Sequence, residues 1–327
     1  LLIKSRPCTR RFWKKQMRKA CLNMVHNLAK SDPRVVFVGS DLGPSVLGDM
    51  KEEFPDRFFM EGVSEQHIVG FAAGLAVEGF IPYVNTIATF ITRRCFEQVA
   101  LDLCLQNLPV RLIGNGGGLV YAPLGPTHLA IEDMAIMRSL PNMTIVSPSD
   151  ADEMARFMAK SIDIEGPVYI RLGKGGDPIV SREEAGFEIG KSICLRSGGE
   201  ILLVSTGVMT NRALVAAEIL ERQGLFCSVL HMHTVKPMDH QGLGLLANVA
   251  RLVVTLEEHT LPGGFGSAVL ESLSDNLGRK MPPVERLGIP DVFAAHYGSQ
   301  DDLLKSYNLQ PEAIAEVVAE AFATMQA

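Results

Sequence analysis

The stretch Phe59-Met60-Glu61-Gly62-Val63-Ser64-Glu65-Gln66-His67 decides how this chain is read, because an apolar strand pattern turns there into a helix start. Glu65 falls in the first helical turn, where the helix dipole favours a carboxylate. The helix that follows carries Gly70, Ala72, Ala73, Gly74 and Ala76, small on nearly every side. Such a helix lets another backbone come close, as at a tight subunit or domain interface. A carboxylate held at that interface is desolvated and able to share or donate a proton. On spacing alone, a first-turn Glu that only caps its helix fits equally well.

Outward from this stretch, short apolar runs alternate with helical periods. Strands are expected near 35–39, 57–60, 82–86, 110–114, 144–147 and 168–172, with helices near 13–30, 64–79, 89–107, 129–139 and 150–163. Strand–helix alternation at this spacing predicts βαβ units, a parallel sheet and helices on both faces. The pattern lapses over 173–190 into Gly-Lys-Gly-Gly-Asp-Pro and then a charged stretch, which reads as a linker. A second set follows: strands near 201–205, 227–231, 252–257 and 284–288, helices near 211–222, 263–273 and 311–325. Two parallel-sheet α/β domains are therefore expected, about 1–185 and 190–327, without internal repeats.

The chain has 327 residues, long for one compact core and comfortable for two domains. It is 47% hydrophobic and 21% charged, which excludes a disordered regulator, a collagen-like chain and a disulfide-scaffolded miniprotein. Its six cysteines form no CxxC pair, so they read as packing thiols in a reducing compartment and no metal ligands are assigned. The net charge of −6 hides an asymmetry. Residues 1–19 hold eight Lys or Arg and no acid, while the remaining residues carry 23 basic against 37 acidic side chains. A body that acidic is a poor nucleic-acid ligand. The basic start reads as a solvated arm, with a targeting segment or an anionic-substrate contact as alternatives. No apolar run reaches the roughly 18 residues of a membrane span. A cytoplasmic protein without membrane or nucleic-acid partners is expected.

The common nucleotide and hydrolase motifs fail. Gly114-Asn115-Gly116-Gly117-Gly118-Leu119 has Leu where a dinucleotide fold needs its third Gly. There is no Walker loop, no H-E-x-x-H and no G-x-S-x-G elbow. A different set of segments occurs in one order. It comprises 61–66 (Glu-Gly-Val-Ser-Glu-Gln), 88–93 (Ala-Thr-Phe-Ile-Thr-Arg), 125–128 (Gly-Pro-Thr-His), 131–135 (Ile-Glu-Asp-Met-Ala), 138–142 (Arg-Ser-Leu-Pro-Asn) and 147–150 (Ser-Pro-Ser-Asp). Together these resemble the pyrimidine-binding domain of transketolases. Segments 235–239 (Val-Lys-Pro-Met-Asp) and 257–266 (Glu-Glu-His-Thr-Leu-Pro-Gly-Gly-Phe-Gly) resemble the transketolase C-terminal domain. The resemblance covers about residues 9–325. The same domains occur in 1-deoxyxylulose-5-phosphate synthases and, more distantly, in 2-oxoacid dehydrogenase β subunits.

The family holds the diphosphate of thiamine diphosphate through Mg²⁺ in an N-terminal domain signed by Gly-Asp-Gly, which this sequence lacks. The resemblance therefore implies the C-terminal subunit of a split transketolase. The metal and diphosphate would be held by an N-terminal partner subunit, in an α2β2 assembly with a homodimer contact through this chain. A piece of a full-length enzyme would read the same. In the family a Glu hydrogen-bonds the far ring nitrogen of the aminopyrimidine and stabilises its imino tautomer, so that the thiazolium C2 proton can leave. Glu65 matches that residue, and Phe90 matches the aromatic that packs on the ring, with Phe96 as the competing candidate. Asp41 and Leu42 match a loop that touches the cofactor of the neighbouring chain. His128, Arg171, Arg10 and Ser45 fall where transketolases bind the sugar phosphate, and cations and hydroxyls suit that dianion. His128 is also a candidate catalytic group.

The sequence departs from the family at the donor end. Leu124 stands where an Asp contacts a ketose hydroxyl, and Gly116 where a His lies near the donor hydroxyls, with Asn115 or Tyr121 as replacements. The implied activity is transfer of a two-carbon ketol, or related acyl, unit between small anionic, phosphorylated substrates. The rivals are a 2-oxoacid dehydrogenase β subunit and a non-catalytic regulatory paralogue.

Overall fold

The computed structural model describes residues 16–42, 45–173 and 175–325, which build two α/β domains with mostly parallel sheets. In the first, strands β1 (Val35–Gly39), β2 (Phe58–Met60), β3 (Ile81–Ile87), β4 (Arg111–Asn115), β5 (Thr144–Val146) and β6 (Val168–Leu172) form a sheet flanked by five helices. These are α1 (Met17–Ser31), α2 (Gly48–Glu53), α3 (Glu65–Val77), α5 (Asp133–Arg138) and α6 (Ala151–Ser161); α4 (Phe96–Gln98) is a single turn. The second domain holds β7 (Ile193–Arg196), β8 (Ile201–Ser205), β9 (Cys227–His231), β10 (Thr234–Lys236), β11 (Leu252–Thr260) and β12 (Val284–Ile289). Its helices are α7 (Met209–Arg222), α8 (His240–Ala247), α9 (Phe265–Leu277), α10 (Gln300–Ser306) and α11 (Pro311–Thr324).

The first sheet has the order β10-β5-β6-β4-β3-β1-β2, the second β12-β11-β8-β9-β7. All six expected strands of the first domain form; β1, β4, β5 and β6 are buried throughout and β3 nearly so, as strands inside a parallel sheet should be, while the edge strand β2 is half-buried. The sequence did not signal β10. This three-residue strand comes from the second domain and pairs antiparallel with β5, Thr234 opposite Val146. The flanking backbone continues the seam, with Ser147 N–H donating to His233 O at 2.8 Å and Gly207 N–H to Ser147 O at 3.0 Å. One apolar cluster runs through both domains, from Val38, Val84 and Leu112 to Val204, Met232 and Phe265.

Two further departures have local causes. The segment expected as one helix over 89–107 is wound wide, with π-helical turns at Phe90–Arg94 and Val99–Cys104 on either side of α4. Thr92 Oγ1 donates to Ala88 O at 2.7 Å and Cys95 Sγ to Phe90 O at 3.2 Å, so side chains take carbonyls that an α-helix would bond to backbone. Arg111 is fully buried without a carboxylate partner. It donates to the carbonyls of Ser161, Ile162, Ile164 and Gly166, capping the negative C-terminal end of α6.

Candidate active site

The connection after β1 runs outward to β2, whereas that after β3 runs the other way to β4, so β1 and β3 flank a topological switch point. Crevices at the carboxyl ends of such strands are where α/β sheets bind ligands. The polar residues of this sheet gather there. Ser40 Oγ donates to Thr86 Oγ1 at 2.9 Å and lies 3.0 Å from Asp41 Oδ1; Asn85 Nδ2 donates to Leu42 O at 2.9 Å, and Asn115 Nδ2 to Asn85 Oδ1 at 2.6 Å. Among the described residues, Asn115 Oδ1 and Thr89 Oγ1 are buried at this edge with no partner.

Glu65 opens α3 against this edge and is only 2% exposed. Arg94 Nη1 donates to its Oε2 at 2.6 Å, while Thr86 Oγ1 reaches Oε1 only at 3.5 Å. Oε1 is thus the oxygen with unspent capacity. The Arg94 guanidinium also lies 4.0 Å over the Phe90 ring, and His128 meets that ring edge-on with centroids 5.3 Å apart. Glu65, Arg94, Phe90 and His128 therefore form one connected group. His128 Nδ1 is fixed by Thr127 Oγ1 at 2.9 Å. Phe96 is placed elsewhere, packed against the shared apolar cluster. Asp41 and Ser45 are exposed, Leu42 is half-buried, and Arg10 lies outside the described residues.

Beside this group is a cavity of about 340 Å³ lined by Gln16, Arg18, Asn115, Gly116, Tyr121 and Leu124. Arg18 stands by the Tyr121 hydroxyl; burial pushes that phenol up, partly offset by the guanidinium. Gly116 has φ +75°, and a β-carbon there would lie 2.2 Å from Tyr121 Cε2. The Tyr121 ring fills the space a His at 116 would need, which explains that departure from the family pattern. Leu124 borders the cavity and is half exposed.

Arg171 is not where the resemblance implied. It does not line this cavity and is 6% exposed. Its Nε donates to Asp133 Oδ2 at 2.7 Å, and its Nη2 to Ala130 O at 3.2 Å and Glu258 O at 2.9 Å. Burial works against its charge, but Asp133 outweighs it and holds the guanidinium protonated. Arg171 therefore fastens the two domains together, and among the described residues the cation lining the cavity is Arg18 of α1. Arg18 and Arg94 carried no signal in the sequence that set them apart from the other basic residues; Arg94 stands one residue beyond a quoted motif. Among the described residues no three His, Cys, Asp or Glu side chains gather as metal ligands.

Two domain families match along the chain, the transketolase pyrimidine-binding domain over residues 14–176 and the transketolase C-terminal domain over 190–314. The fold is of the thiamine-diphosphate, transketolase-like class. The chain belongs to the transketolase family. A structure described as a split-gene transketolase, an inactive β4 tetramer, superposes with a TM-score of 0.86 at 37% identity, covering 94% of this chain and 99% of its own. The 1-deoxy-D-xylulose-5-phosphate synthase of Synechococcus sp. (strain JA-2-3B'a(2-13)) is 39% identical over 300 residues, 90% of this chain and 46% of that protein. The synthase of Caldanaerobacter subterraneus subsp. tengcongensis is 39% identical over 274 residues, 83% of this chain and 43% of that protein. The chain thus spans about half the length of the curated relatives it matches. A Pichia stipitis transketolase shares the fold, with a TM-score of 0.80 at 20% identity.

Proposed function

We propose that this chain is the pyrimidine-binding part of a thiamine-diphosphate enzyme of the transketolase/1-deoxyxylulose-5-phosphate synthase superfamily, acting on small phosphorylated substrates together with a diphosphate-binding polypeptide. The observation that carries the reading is Glu65. A carboxylate this buried at a helix start, with one oxygen held by Arg94 and the other met only loosely by Thr86, suits a ring nitrogen that must exchange a proton. Phe90, half-buried beside it, offers the aromatic face, and the partnerless Asn115 and Thr89 oxygens suit a polar heterocycle rather than an apolar one. The cofactor supplies the carbanion chemistry; this chain orients its pyrimidine and sets the proton at the ring nitrogen. Arg18, His128 and Tyr121 suit the phosphate and hydroxyl end of a substrate.

Half-length coverage of the relatives and the name of the β4 structure support a requirement for a second polypeptide. A copy-to-copy contact is supported by α3. Its Gly70 and Gly74 are exposed, and among the described residues a β-carbon would meet nothing within 4 Å at Gly74 and only Asp102 Oδ2 at 3.9 Å at Gly70; Val77, Leu101 and Leu105 are also exposed. Glycines that no internal packing requires leave room for an outside backbone. Leu124 and Gly116, which offer a donor's hydroxyls no partner, favour a donor with fewer hydroxyls than a ketose phosphate, such as a 2-oxoacid. Titration calorimetry tests the reading: thiamine diphosphate with Mg²⁺ should bind the isolated chain weakly or not at all, and bind tightly once the diphosphate-binding partner is added. Tight, Mg²⁺-dependent binding to this chain alone would end the split-enzyme proposal.

A further inference from the structure

Between Gly118 and Ala130, after β4, the chain forms a loop closed by Gly118 N–H to Ala130 O at 2.8 Å and Ala130 N–H to Gly118 O at 3.1 Å. This loop carries Tyr121, Leu124 and His128. Its apolar underside packs against the second domain. Leu119, Ala122, Leu129 and Ile131 are buried in the same cluster as Met209, Leu256 and Leu303 of the second domain.

Two side chains of the second domain hold the loop at neck and tip. At the neck, Glu258 Oε1 accepts the Leu119 N–H at 2.7 Å and the Gln300 Nε2–H at 2.8 Å. Gly118, at φ +72°, admits that carboxyl, since a β-carbon there would lie 2.5 Å from Glu258 Cδ. At the tip, Gly125 has φ +79°, and a β-carbon there would fall 2.5 Å from Tyr297 Cε1. Tyr297 is nevertheless 70% exposed, so its ring adds little to the second domain's core and its closest use is against this loop. Glu258 is buried, and its Oε2 has no partner. A buried carboxyl left half satisfied is costly to keep where an apolar residue would pack, unless the bond it makes to Leu119 matters.

We infer that Glu258 and Tyr297 are positioning residues through which the second domain sets how Tyr121, Leu124 and His128 stand toward a phosphorylated substrate; this rests on the function proposed above. The second domain then acts on substrate binding without touching the substrate, by fixing one loop at its neck and its tip.

The test uses the complex reconstituted with its diphosphate-binding partner. Tyr297→Ala is expected to raise KM for the phosphorylated substrate about tenfold with kcat within about twofold, the split expected when ground-state and transition-state binding fall together. Amide exchange over residues 119–128 should quicken about tenfold in Tyr297→Ala and Glu258→Leu, with α6 and β6 staying protected. Glu258→Gln, which keeps an acceptor for Leu119, should stay near the wild type in both readouts. Unchanged exchange in Tyr297→Ala overturns the clamp even if Glu258→Leu fails to fold. Quickened exchange with unchanged KM makes the clamp structural only and overturns the inference. A wild-type complex that turns over no phosphorylated substrate defeats instead the function proposed above, while the exchange result still decides the clamp.

Discussion

Two buried carboxylates in this chain each meet an arginine, and the difference between them separates a site from a fastener. Glu65 pairs with Arg94, whose side chain is 42% exposed, and keeps one oxygen nearly unused. Asp133 pairs with Arg171, 6% exposed, and its Oδ2 also accepts the Tyr169 hydroxyl at 2.7 Å. Arg171 gives its donors to Asp133 and to the carbonyls of Ala130 and Glu258, so it is locked between the two domains, and the Asp133 Oδ1 left without a described partner is sealed from solvent. Arg94 beside Glu65 can swing into solvent, and the loosely bonded Oε1 stands at the crevice edge of the sheet. Desolvation is common to both, so burial of a charge does not by itself mark chemistry.

The comparison breaks most directly at Glu65. Glu65→Gln should leave folding and assembly intact and cut turnover of the reconstituted enzyme by on the order of 10²–10⁴, the scale for losing a positioned acid–base group. Wild-type turnover in that variant would remove Glu65 from the mechanism. Asp133→Ala should do the opposite, lowering the denaturant midpoint by the equivalent of about 3–5 kcal/mol, because Arg171 is left buried without its counter-charge. A midpoint within experimental error of the wild type would mean that the seam is held by packing alone.

The pH dependence of stability sharpens the same contrast. His259 Nδ1 donates to Thr260 O at 2.7 Å, and its Nε2 accepts the Ala135 N–H at 3.2 Å, so the folded ring is neutral. Burial pushes its pKa down to about 4, against the ordinary 6.5. Below pH 6.5 the unfolded chain takes up a proton that the folded chain refuses until about pH 4. Stability from this group is therefore complete above pH 6.5 and drains away as the pH falls toward 4, by about 3 kcal/mol at 1.36 kcal/mol per pH unit. His259→Gln should flatten the acid limb of a plot of urea midpoint against pH; an unchanged limb assigns the acid sensitivity elsewhere, with His233, also held near 4 by burial, the first candidate. The smallest effect concerns the donor. Leu124→Asp should shift kcat/KM back toward xylulose 5-phosphate by roughly 5- to 150-fold, about 1–3 kcal/mol for a restored hydroxyl partner. If xylulose 5-phosphate is already the best donor and the variant changes nothing, Asn115 or Tyr121 makes that contact.

Periodicity made the central strands legible, since β1, β3, β4, β6, β8 and β9 are apolar runs that need no distant partner to be recognised. It could not show β10. Thr234-Val235-Lys236 is too short to carry a period, and its pairing with β5 depends on residues some ninety positions away. Nor could a helical period separate wide turns from α-turns over 90–104, where the cause is hydroxyl and thiol bonding to carbonyls. In the site, Glu65 and Phe90 stood out through motif spacing, and the structure joins them through Arg94. Arg171 misled because a strand-end arginine reads the same whether it faces a ligand or a carboxylate brought by another helix. Arg18 was hidden among eight basic residues of the first nineteen.

The strand exchange at β10 makes the glycine-rich linker a false hinge. A protein severed there would present the Thr144–Val146 backbone as a raw edge, open to any passing strand. The two domains are consequently one heritable part. Recombination, fusion or fission that parts them has to supply another strand or cap for the β5 edge, whereas moving them as a pair leaves it covered.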